Sequence, residues 1–96
     1  MSRWLVEKRL SQQAERLKKL RAELAVVDEQ SAFLNDAADE ARLRALVSET
    51  PLADKEHREA QRHADAMARR RTEIVASIAE LSRAQDELLD RLAEAG

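Results

Sequence analysis

Two kinds of side chain in this sequence can do chemistry away from the backbone, guanidinium groups and carboxylates, and both come in blocks. Arg58, Arg62 and the run Arg69-Arg70-Arg71 form the most basic local stretch. A guanidinium fork recognises phosphate and carboxylate with the same geometry. One reading is therefore a phosphate-binding face made by Arg58, Arg62, Arg69 and Arg70, for nucleic acid or a nucleotide. The other is internal pairing with the acidic block Asp28, Glu29, Asp36, Asp39 and Glu40. No aromatic residue is interleaved for stacking, and those acids would occupy the place of a phosphate, so internal pairing is the expectation. A formal net charge of −2 gives no reason to expect nucleic acid or a membrane surface as partner.

Other chemistries find no support. His57 and His63 lie six apart and do not share a helix face. With no cysteine and no His-Glu-x-x-His pattern, no metal site is expected. The only glycine is the last residue, which excludes a glycine-rich phosphate loop. Ser11, Ser31, Ser48, Ser77 and Ser82 have no convincing base beside them, and two helices make no deep pocket. Neither an enzyme nor a bound cofactor is expected.

The elements that position these groups are set by one stretch, Ser48-Glu49-Thr50-Pro51-Leu52-Ala53-Asp54, which holds the only proline. Proline suits the first helical position, and a threonine before it can cap the turn. Thr50 reads as the N-cap, Pro51 as N1 and Asp54 as an early acid favoured by the helix dipole. The expectation is a helix over about 3–48, a turn over about 48–51 and a second helix over about 51–95. Asn35-Asp36 is a further candidate cap, so a kink near Asp36 is an open alternative. The acidic turn, with Glu49, Asp54 and Glu56, resembles the coiled-coil tip of the Gre transcript-cleavage factors in architecture. The Asp-x-x-Glu tip spacing of that family is absent, because His57 stands three residues after Asp54.

Both segments carry the alternating three- and four-residue steps of a coiled-coil seam. In the first these are Val6, Leu10, Gln13, Leu17, Leu20, Leu24, Val27, Ser31, Leu34, Ala38, Ala41 and Ala45. In the second they are Ala53, His57, Ala60, Ala64, Met67, Arg71, Ile74, Ile78, Leu81, Gln85, Leu88, Leu92 and Ala95. Folding back at Glu49 makes facing residues those whose numbers sum to about 98. Leucine and isoleucine then meet their like, and Gln13 meets Gln85 as a polar layer able to fix register. Arg71 falls on the seam opposite Val27, where a charge needs a partner; Asp28 or an acid from a second hairpin can supply it. Charge blocks agree. Residues 1–21 carry seven basic and two acidic groups against five acidic and two basic in 78–96. Residues 22–41 carry six acidic and no basic groups against five basic and three acidic in 57–76, which selects the antiparallel orientation.

The expected fold is thus all-α, a long antiparallel two-helix coiled-coil hairpin. Phe33, Leu43, Leu46, Val47 and Leu52 lie off the seam near the turn, where the seam itself is mostly alanine. Two helices cannot cover both sets, so a second copy giving a four-helix bundle is expected. Trp4 is expected to pack near Leu89 and Leu92, with a partner anchor as the alternative. The segment Met1-Ser2-Arg3-Trp4-Leu5-Val6-Glu7 has no long apolar run, so neither a signal peptide nor a membrane span is expected, and a cytoplasmic location is the default. The functional expectation is a non-catalytic protein–protein interaction module, an adaptor or regulator acting as a homodimer. The alternative is a transcription-associated regulator that binds RNA polymerase, a sigma factor or a nucleotide through the Arg58–Arg71 face.

Overall fold

The structure is a computed structural model that describes residues 2–95. Two helices, α1 (Arg3–Ser48) and α2 (Pro51–Ala95), form a helical hairpin. Both helix N-termini are capped for a local reason. Ser2 Oγ accepts the Leu5 N–H at 3.2 Å and opens α1. Thr50 Oγ1 accepts the Ala53 N–H at 3.2 Å, the side-chain bond of an N-cap, and Pro51 follows as the first helical residue. Between the helices Glu49 has φ 51°, the left-handed conformation that commonly ends a helix. Its N–H still donates to the Ala45 carbonyl at 3.1 Å. α1 runs unbroken through Asn35 and Asp36, so those residues cap no new helix. Buried Ala38 and Ala41 hold the chain in the seam on the following turn.

The chain divides into two compact units. One comprises the residues up to Leu24 together with those from Glu73 onward. Its core is aliphatic: Val6, Leu17, Leu20, Ile74 and Leu88 are buried, and Leu10, Leu24, Ile78, Leu81 and Leu92 are partly so. Leu17 and Ile74 are the largest side chains lost almost completely from solvent. The expected seam residue Ala95 closes α2, and its side chain lies outside the described residues.

The other unit is Ala25–Thr72 and contains the turn. Its buried residues are Val27, Ala38, Ala41, Ala45, Ala53 and Ala64. A buried leucine contributes about 1.5–3 kcal/mol and each CH₂ roughly 0.8, so this alanine seam stabilises weakly for its length. Small side chains let the helices close up, and they leave little apolar area to bury. Ser31, Leu34, His57, Ala60 and Met67 complete the seam at intermediate exposure.

Arg71 is the exception among the seam positions. Its side chain is half-exposed, leaning out of the layer to reach Asp28. A charged head that stays in water on a long apolar stem escapes the desolvation that a buried guanidinium would suffer.

Candidate functional site

The residues expected to mediate association are all exposed: Phe33 (73%), Leu43, Leu46, Val47 (85%) and Leu52. Val26 joins them. Together these are six of the nine exposed large hydrophobics of the described residues, all within Ala25–Thr72. The unit with the poorest core therefore carries the richest apolar surface.

The arrangement on α1 is regular. Val26, Glu29, Phe33, Asp36, Glu40, Leu43 and Val47 are all exposed and follow alternating steps of three and four. That spacing is a second coiled-coil stripe, nearly opposite the buried one. α1 is consequently apolar on two sides within this unit. Its second stripe mixes apolar residues with carboxylates, so neither sort dominates a window and the pattern is masked in the sequence. A shallow groove of about 400 Å³ borders the stripe, lined by Glu29, Gln30, Phe33, Leu34 and Met67.

α2 presents the opposite charge on its outer face. Lys55, Arg58, Arg62, Asp65, Arg69 and Thr72 are exposed and again follow three–four steps. Among the described residues Arg58, Arg62 and Arg69 make no ion pair, and neither do Glu29, Asp36 or Asp39. Glu40 has only its own-helix neighbour Arg44, at 4.0 Å. The expected internal pairing of Arg58, Arg62 and Arg69 with the α1 acids is thus corrected. Antiparallel register brings these groups level along the hairpin, but their heptad positions point away from the seam on opposite sides. Arg70 is engaged by an interaction of its own. Lys55 approaches Glu59 at 4.0 Å within α2. A second groove, of about 290 Å³, is lined by His57, Arg58, Gln61, Arg62 and Asp65, with Gln61 Nε2 donating to Asp65 Oδ1 at 3.0 Å.

The register residues behave unequally. Arg71 Nε donates to Asp28 Oδ1 at 2.6 Å, so the seam arginine is answered from within its own hairpin. Gln13 and Gln85 are both partly buried, but Gln13 Oε1 accepts no hydrogen bond, so the polar layer is not joined through that oxygen. Ser31 Oγ is buried and unpaired as well. Trp4 is 68% exposed rather than packed near Leu89, which is itself half-exposed. The Lys8 ammonium lies 5.2 Å from the Trp4 ring centroid, a cation–π contact that keeps the indole on the surface.

Among the described residues no group of three or more His, Asp or Glu is placed to hold a metal ion. No described helix is long and apolar enough to cross a membrane. No protein-family model, curated protein or solved structure matches the chain.

Proposed function

We propose that the chain is a non-catalytic helical-hairpin module that works by offering helix faces to other proteins, with a second copy of itself as the first partner. One observation carries this reading. The unit Ala25–Thr72 buries mostly alanine and exposes Val26, Phe33, Leu43, Leu46, Val47 and Leu52. Apolar surface of that extent beside so thin a core is the composition of an element completed by association. Two copies would bring four helices together, the usual way for hairpins to enclose a core. The test is the mass in solution across a concentration series, by sedimentation or light scattering. A mass of twice the chain or more is expected at high concentration, and Leu46→Asp with Val47→Asp should return it to that of one chain. A double variant that assembles like the parent sinks the reading.

A second reading, a regulator that binds a phosphate-bearing ligand or the transcription machinery through the Arg58–Arg71 face, is favoured by one finding. Arg58 and Arg62 line a groove and make no ion pair among the described residues. Titration with a nucleoside triphosphate at low salt decides it: binding that falls steeply with salt supports the reading, and no binding at millimolar ligand removes it.

A further inference from the structure

The two outer stripes of the turn unit match each other. On α1 the series runs Val26, Glu29, Phe33, Asp36, Glu40, Leu43, Val47; on α2 it runs Thr72, Arg69, Asp65, Arg62, Arg58, Lys55, Pro51. Read in antiparallel order, Glu29 falls beside Arg69, Asp36 beside Arg62 and Glu40 beside Arg58. Leu43 falls beside the aliphatic stem of Lys55, and Val47 beside Pro51. Within one hairpin these partners face away from each other, which is why the pairs are not made there. Between two hairpins lying side by side with their turns at the same end, the stripes meet in the register just given.

We propose that the acidic and apolar stripe of α1 in one copy docks on the basic outer stripe of α2 in a second copy, in the register that sets Glu29, Asp36 and Glu40 against Arg69, Arg62 and Arg58. This rests on the self-association reading above and adds which surfaces meet, in an open row of hairpins instead of a closed four-helix bundle. Charge selects the alignment. Sliding one heptad in one direction keeps only two acid–base pairs, Glu29 with Arg62 and Asp36 with Lys55. Sliding the other way keeps only Asp36 with Arg69 and sets Glu40 against Asp65. Complementary charge fixes register and orientation, while affinity comes from Leu43 laid on the stem of Lys55, Val47 on Pro51, and Phe33, level with Asp65, between the stems of Arg62 and Arg69. The joined faces are not equivalent and lie on opposite sides of the hairpin. Each pair therefore leaves one stripe of each kind open, and association continues head to tail rather than closing at two copies.

The experiment uses the full chain in two charge-reversed forms. The first carries Glu29→Arg, Asp36→Arg and Glu40→Arg; the second carries Arg58→Glu, Arg62→Glu and Arg69→Glu. Circular dichroism checks that each remains helical, and a neutral set (Glu29→Gln, Asp36→Asn, Glu40→Gln) replaces the first form if it does not fold. The parent mass should climb past twice the chain with concentration and fall back in high salt. Each reversed form alone should associate at least tenfold more weakly, because like charges now face each other. An equimolar mixture of the two should recover the parent behaviour, since every contact between unlike forms again pairs acid with base; the neutral set should associate more weakly than the parent. Reversed or neutral forms that associate as the parent does, or a mixture that stays apart, overturn the register. If Leu46→Asp with Val47→Asp still abolishes assembly in that case, self-association stands and only this alignment falls. A parent that remains a single chain at every concentration removes both.

Discussion

The Asp28 carboxylate and the Arg71 guanidinium, 43 residues apart in sequence, close to 2.6 Å across the hairpin. This contact ties α1 to α2 in the layer that holds buried Val27. Both side chains keep about half their surface in water, so the pair contributes about 0.2–1 kcal/mol, as exposed ion pairs do. Asp28→Asn should lower the unfolding free energy, read from urea denaturation, by an amount within that range. Arg71→Leu should do the reverse, because a leucine at a seam position buries apolar area that an outward-leaning arginine leaves open. Loss of stability in Arg71→Leu larger than in Asp28→Asn would show that the ion pair, and not burial, dominates this layer.

Glu49 holds a left-handed conformation that a side chain resists and glycine adopts freely. Glu49→Gly is expected to raise stability by about 1 kcal/mol, through relief of that strain less the added freedom of the unfolded chain. Thermal unfolding measures it. A lower melting temperature would mean the Glu49 carboxylate has a stabilising role at the turn that outweighs the strain.

Thr50→Ala removes the acceptor for the Ala53 N–H and should cost about 1 kcal/mol of stability. Thr50→Ser keeps the acceptor and should cost only a fraction of that. Equal losses in the two variants would assign the effect to the threonine methyl group instead of the cap.

Gln13 Oε1 is buried without a hydrogen-bond partner, which costs about 1–3 kcal/mol relative to a satisfied acceptor. The pair of changes Gln13→Leu and Gln85→Leu should therefore raise the unfolding free energy by at least about 1 kcal/mol, read by chemical denaturation. If the doubly changed chain populates more than one species by exchange-broadened NMR lines, the polar layer guards register at the expense of stability.

Trp4 is the only tryptophan and stands largely in solvent beside Lys8. Its emission should lie at the red end of the protein range, and acrylamide should quench it almost as readily as the free amino acid. Blue-shifted, protected emission would show that the indole is covered in solution.

Much of this architecture was legible in the residues. The three–four alternation located nearly every seam position, and Leu17, Ile74, Ala41 and Ala64 are buried as it requires. Thr50-Pro51 marked the turn because cap and ring chemistry act locally. The outward direction of Arg58, Arg62 and Arg69 was harder to see. Summing residue numbers gives the height of a residue along a hairpin, and heptad letter gives the side it faces; height alone pairs these charges, and the heptad letter turns them outward. The second stripe of α1 escaped for a related reason, since Glu29, Asp36 and Glu40 interrupt its apolar members. Hydrophobicity alone places Trp4 against the helix ends, whereas Lys8, four residues on, offers the ring a contact at the surface.

The alanine seam also sets a clock. Opening a turn of helix near Ala41 or Ala60 uncovers little apolar surface, whereas opening one at Leu17 or Ile74 uncovers a great deal. Backbone amides within Ala25–Thr72 should therefore exchange with solvent deuterium sooner than those flanking Leu17 and Ile74, although all belong to the same two helices. A partner seated on the outer stripe would slow the fast amides first, so the order in which protons leave α1 and α2 reports when that face is occupied.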